Sequence, residues 1–165
     1  MKTQQEWVKE LGLEPHPEGG YYVRKLASPY TTTVNGNERP LYTSIYFLLT
    51  SNNPSHFHQL KSDEVWYYHA GHALTVHELL EDGSYTTTEI GPDTAKGELL
   101  QYVVKAGSIF GSSVNADDSY SLVSCMVSPG FDYRDFTLFT QAELLASHSN
   151  HPEIIKELAF ETLPE

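Results

Sequence analysis

The chain has 165 residues, with 10 Lys+Arg against 22 Asp+Glu and a formal net charge of −12 with histidine neutral. That balance argues against a nucleic-acid surface and against a basic membrane-binding patch, because both need clustered Lys and Arg. A domain of this length buries a core unaided, and the single Cys125 allows no intramolecular disulfide.

No apolar signal core follows Met1, and no apolar run approaches the roughly 20 residues a spanning helix needs. With 39% hydrophobic and 12% aromatic residues, the composition is that of a globular chain. The expectation is one cytoplasmic domain over 1–165.

Trp7, Val8 and Leu11 recur at helical spacing and predict a short opening helix that stops at Gly12. Glu14-Pro15-His16-Pro17-Glu18-Gly19-Gly20 follows, and its prolines and glycines exclude helix interior and central strand. From Tyr21 the texture is β. Tyr21–Lys25 reads as a short strand, and Thr31–Pro40 as a loop with Asn35-Gly36-Asn37 at its tip. Leu41–Leu49 is apolar or aromatic on both faces, as a central strand requires.

Shorter strands are expected at Glu64–His69, Ala73–Leu80, Ser84–Ile90, Leu99–Val104, Ser108–Val114, Ser119–Val127 and Asp135–Phe139, separated by Gly-, Asp- and Pro-rich turns. Many short strands at this spacing predict an all-β sandwich or small barrel. Thr140 with Glu143 forms a capping-box pattern, and His151-Pro152-Glu153 opens a second terminal helix. His148 and His151 are expected on the surface of this tail, and Cys125 in the core.

The chemistry concentrates in Ser55–Gly71. On a regular strand, His56 and His58 point to the same side, which is a chelating arrangement. Glu64 opens the next strand and can return a carboxylate to the same pocket. His56, His58 and Glu64 are therefore candidate ligands of Mn, Fe, Ni or Zn, and His58 and Glu64 are candidate catalytic residues. A surface ion pair of Glu64 with Lys61 or Arg39 is the structural alternative. His16 and Glu18 sit on a stiff turn whose glycines permit close approach to a ligand. Tyr46, Tyr68, Trp66 and Phe131 are candidates for lining a carbohydrate-sized pocket.

His56-x-His58, then Glu64, then six residues to Gly71, resembles the first cupin motif, with a longer gap between His58 and Glu64 than the motif usually has. The second motif ends in histidine, whereas the matching stretch Ala106–Ser113 has none. A narrower resemblance runs along nearly the whole chain. It is carried by Leu13–Tyr21, Ile45–Leu49, His58 with Asp63-Glu64-Val65-Trp66, Leu122–Val127, and Ser128-Pro129-Gly130-Phe131-Asp132 with Asp135-Phe136. These residues are similar to the cupin-5 family, a domain of unknown function. The resemblance implies a double-stranded β-helix, or jelly-roll barrel, with short terminal helices and a tendency to dimerise. It implies no established activity, and its functional analogy is with sugar-nucleotide epimerases of the same barrel type.

Three functions fit these residues. The first is proton transfer on a sugar-like or carbonyl metabolite, as in an epimerase or isomerase, with His58 as base and a tyrosine as acid. The second is metal-dependent chemistry at His56, His58 and Glu64. The third is binding of a metabolite without turnover. All three take a small molecule as partner, and covering of exposed sheet edges makes a homodimer the expected assembly.

Overall fold

The computed structural model describes residues 1–165. Helix α1 (Gln4–Leu11) has Thr3 and Glu6 as a reciprocal capping box and ends at Gly12, which takes the left-handed conformation a C-cap favours. The strands are β1 (Glu14–Pro15), β2 (Tyr21–Ala27), β3 (Thr31–Val34), β4 (Asn37–Pro40), β5 (Thr43–Thr50), β6 (Ser55–Leu60), β7 (Asp63–Gly71), β8 (Leu74–Leu79), β9 (Tyr85–Ile90), β10 (Gln101–Val104), β11 (Ile109–Val114), β12 (Tyr120–Ser128) and β13 (Phe136–Leu138). Helices α2 (Gln141–Ser147) and α3 (Pro152–Leu158) close the chain.

A six-stranded sheet has the order β1-β2-β5-β12-β7-β10, and a five-stranded sheet has the order β13-β6-β11-β8-β9. All pairings within them are antiparallel. The expected central strand β5 lies between β2 and β12, which explains why both its faces are apolar. Phe47 and Leu49 turn inward to a core shared by the two sheets, with Trp66, Leu74, Val76, Ile90, Phe110 and Val123. Tyr46 and Leu48 turn outward, beneath Trp7, Val8 and Leu11 of α1. The Thr140–Glu143 capping box is present, and α2 and α3 cover the outer face of the smaller sheet. There Phe57 and Leu79 meet Leu144, Ile155 and Leu158. Each such side chain contributes roughly 1.5–3 kcal/mol on burial.

Two expectations need correction. Thr31–Pro40 is not a loop. It is the hairpin β3–β4, because Asn35 and Gly36 both adopt the positive φ that a tight two-residue turn demands. His148 and His151 are not free surface residues. His148 is buried with Nε2 2.8 Å from the Leu80 carbonyl, and His151 Nε2 is 3.0 Å from the Gly83 carbonyl. Both rings tie the terminal helices to the β8–β9 turn, whose backbone groups need partners. No helix is long and apolar enough to cross a membrane.

Candidate active site

The Pro- and Gly-rich turn is an edge hairpin: Glu14 and Pro15 pair with Tyr22 and Tyr21. Pro15 is tolerated because β1 lies at the sheet edge. The turn closes on itself, with the His16 N–H donating to the Gly20 carbonyl and the Gly19 N–H to the His16 carbonyl, each at 3.0 Å. Gly19 has φ +108, and a Cβ there would lie 1.9 Å from the Pro54 carbonyl oxygen. Only glycine allows this approach, and the approach drives Glu18 into the molecule, where it is 6% exposed.

The expected same-face pairing of His56 and His58 fails for a local reason. Strand β6 pairs with β11 through Phe110↔His58 and Ser112↔Ser55, so two residues of β6 oppose Gly111. This bulge re-aims His56. Its ring stacks on Phe160 at 3.7 Å, and its backbone N–H and Nδ1 both lie 2.7 Å from the Glu18 carbonyl. A carbonyl only accepts, so both nitrogens donate, and His56 clamps the Glu18 backbone. No three His, Cys, Asp or Glu side chains are arranged to hold a metal ion. The set His56, His58 and Glu64 therefore does not fit a metal: the His56 imidazole is turned onto Phe160, away from the cavity that His58 and Glu64 line.

His58 is 1% exposed. Its Nδ1 is 2.7 Å from the His56 carbonyl, which fixes the proton on Nδ1 and leaves the lone pair on Nε2. That lone pair faces Glu18 Oε2 at 3.3 Å. The other Glu18 oxygen accepts from the Ser55 hydroxyl at 2.8 Å. Burial, with the nearby Glu64 second, holds the Glu18 carboxyl well above the usual range. Burial lowers His58 to about 3. The pair therefore rests as a carboxylic acid beside a neutral imidazole. His16 completes this floor: its Nδ1 accepts from the Glu18 N–H at 3.2 Å, and burial lowers its pKa to about 4.

Glu64 enters from β7 and is 8% exposed. Burial raises it to about 7, opposed by the Trp66 indole and the Cys125 thiol. The indole N–H itself makes no hydrogen bond of normal geometry. Burial also pushes the Cys125 thiol up.

These groups line a cavity of about 370 Å³. Its walls include Phe47, Leu60, Val127 and Phe131, and its mouth Tyr22, Arg24, Asp132 and Tyr133. The Tyr22 and Tyr133 hydroxyls are 3.3 Å apart, and Arg24 donates to the Phe131 carbonyl at 3.2 Å. Behind the mouth, buried Arg39 grips Asp135 through two bonds of 2.8 and 3.1 Å, so it is not a partner of Glu64.

Of the candidate residues, His16, Glu18, His58, Glu64 and Phe131 meet in this cavity. Trp66 is buried in the core behind it, between Phe47 and Phe110. Tyr46 lies on the outer face of the larger sheet, beside His69. Tyr68 donates its hydroxyl to the Gly71 carbonyl at 2.8 Å and lines a separate outer groove. Sequence reasoning misses Ser55 and Tyr133. Ser55 is visible only once Glu18 is known to reach β6. Tyr133 follows the recognised Pro129–Asp132 turn and carries no signal of its own.

The family model described as "Cupin superfamily (DUF985)" matches residues 5–139. The uncharacterized protein YML079W of Saccharomyces cerevisiae is 32% identical over 94% of this chain and 84% of that protein. A hypothetical protein from Leishmania major has a solved structure similar at a TM-score of 0.93 and 48% identity, covering 97% of this chain and 100% of that one. Protein SO0799 from Shewanella oneidensis is similar at a TM-score of 0.92 and 43% identity, covering 98% and 100%.

Proposed function

The chain belongs to the cupin superfamily, in the family described as DUF985, and from that premise we propose that its cavity transfers a proton on a small sugar-like or carbonyl metabolite. One observation carries the reading: the only free nitrogen of His58, Nε2, faces the Glu18 carboxyl at 3.3 Å inside an aromatic-walled pocket. An acid and a base lie side by side, and burial keeps both neutral.

The step is an enolisation. His58 Nε2 takes the proton from the carbon next to the carbonyl, and that C–H bond breaks. The Glu18 carboxyl gives its proton to the carbonyl oxygen. The products are an enol and a Glu18 carboxylate–His58 imidazolium pair, which the His56 carbonyl stabilises through Nδ1–H. Return of the proton on the same face restores the substrate. A proton from a tyrosine hydroxyl on the side of Tyr22 and Tyr133 inverts the carbon, the enol proton returns to Glu18, and the His58 imidazolium proton restores the tyrosine through solvent.

The test is exchange of substrate C–H for deuterium in heavy water, across a panel of keto sugars and sugar nucleotides. Exchange by the wild type that is lost in both His58→Gln and Glu18→Gln supports the reading. No exchange with any member, or exchange unaffected by both variants, rejects it.

A further inference from the structure

The cavity floor carries two buried carboxyls, Glu18 and Glu64, and no lysine or arginine. The one cationic side chain in the lining, Arg24, sits at the mouth and donates to the Phe131 carbonyl. The other arginines near the mouth are committed: Arg39 to Asp135, and Arg134 to Asp132 at 2.9 Å. Glu64 is more than nine-tenths buried, lines the cavity, and has no ion-pair partner of its own. A carboxylate so placed is costly to ionise until a cation reaches it.

The walls offer what a cation favours. Rings crowd the site from several directions: the centroids of Tyr22 and Phe47 lie 4.5 and 5.8 Å from that of His16, and Phe131 lies 5.0 Å from Tyr133. Faces of such rings attract ammonium groups. The chain as a whole carries −12, so its field concentrates cations and repels anions.

We propose that the cavity binds an amine-bearing small molecule, with its ammonium paired to the Glu64 carboxylate between the aromatic walls. This deepens the proton-transfer reading by naming the substrate class. It rests on that reading only in taking the same cavity as the ligand site. An aminocarbonyl compound or amino sugar satisfies both: the ammonium lies on Glu64, and the carbonyl end faces Glu18 and His58. The imidazoles of His16 and His58 do not supply the cation instead, since burial lowers both. Two other titratable groups lie beside Glu64: Cys125, which stays a neutral thiol, and the Glu18 carboxyl, which burial holds well above the usual range.

The experiment is titration calorimetry of the intact protein with two matched pairs, benzylamine against benzyl alcohol and cyclohexylamine against cyclohexanol. The amines are expected to bind about tenfold tighter than the alcohols, the advantage of one charge-assisted contact. Glu64 must lose its proton to receive the ammonium, so amine affinity rises about tenfold from pH 6 to pH 8 around a pKa of about 7. Runs in two buffers of different ionisation enthalpy read the released proton directly. In Glu64→Gln the preference disappears while the alcohol affinity remains, and that retained affinity shows the pocket is folded.

Equal binding within each pair overturns the amine assignment and leaves the enolisation reading standing. An amine preference that survives Glu64→Gln, or no binding by either amine, also overturns it. Deuterium exchange on amine-free substrates is the separate check on the chemistry.

Discussion

His58 Nε2 and Glu18 Oε2 lie 3.3 Å apart, and the carbonyl of His56 decides what that contact is. Because Nδ1 must donate to that carbonyl at 2.7 Å, Nε2 can only accept from Glu18 in the neutral pair. In the neutral pair the second proton therefore sits on the Glu18 carboxyl. His56 thus serves the site in two ways, through its own carbonyl and through the two bonds it gives the Glu18 carbonyl.

The first prediction follows from that proton. Nitrogen NMR of the histidine rings is expected to show His58 as the Nδ1–H tautomer, with no titration down to about pH 4, since burial holds its pKa near 3. Glu18→Gln keeps the tautomer, because an amide N–H also donates to Nε2. A His58 ring that titrates near pH 6.5, its ordinary value, contradicts the neutral imidazole beside Glu18.

The fold was legible in the sequence because strand, turn and cap signals are local. The capping boxes at Thr3–Glu6 and Thr140–Glu143 show this, since both are Thr-x-x-Glu patterns. The alternation of Ile45, Phe47 and Leu49 against Tyr46 and Leu48 reports two buried faces directly. It does not say which face is the cavity, so Tyr46 reads as a lining residue when it packs under α1 instead. The His56/His58 pair fails more sharply. Period-two reasoning assumes a regular ladder, and the bulge opposite Gly111 depends on a partner strand far along the chain. Arg39 is misread for a similar reason, since its partner Asp135 is brought near only by folding.

The second prediction concerns Gly19. An added Cβ meets the Pro54 carbonyl oxygen at 1.9 Å, and the backbone already sits at φ +108. Gly19→Ala is expected to destabilise the protein by about 1–3 kcal/mol and to withdraw Glu18 from His58. Urea unfolding measures the first effect, and a shift of the His58 Nε2 resonance, the atom that faces Glu18, measures the second. Wild-type stability in this variant would show that the turn tolerates a side chain.

The third concerns pH. His77 is buried on β8, with Nδ1 2.6 Å from the Tyr85 hydroxyl and Nε2 2.9 Å from that of Ser113. Burial lowers it to about 4 from 6.5, so the unfolded chain binds a proton that the folded chain refuses between these values. Its contribution to stability is present above pH 6.5 and is lost as pH falls toward 4. Glu64 has the opposite sign. Raised to about 7 from 4.5, it holds a proton only when folded, and its contribution falls as pH rises through that window. The two contributions oppose each other between pH 4.5 and 6.5, so His77→Gln is expected to lower the slope of stability against pH there, and Glu64→Gln to raise it. Urea midpoints at several pH values decide, and unchanged slopes in both variants would reject the assignment.

The fourth concerns the segment that carries the cavity mouth. Phe131, Asp132 and Tyr133 face the pocket, and Asp135 anchors them through its paired bonds to Arg39. The same segment is held from the other side by the Phe131 N–H, which donates to the Thr43 hydroxyl at 2.9 Å. Arg39, as the first cause, keeps Asp135 below its ordinary 3.8, so the anchor is complete above that pH and weakens as pH falls through the folded value. Asp135→Asn retains the shape but loses the charge and one of the two fork acceptors. Its amides from 131 to 135 are therefore expected to exchange faster with deuterium than those of the wild type, while the amides of β12, held between β5 and β7, keep their protection. A lower melting temperature accompanies the change. If the amides of β12 and of 131–135 accelerate together, Asp135 supports the whole sandwich rather than the mouth, and the segment is no independent wall of the cavity.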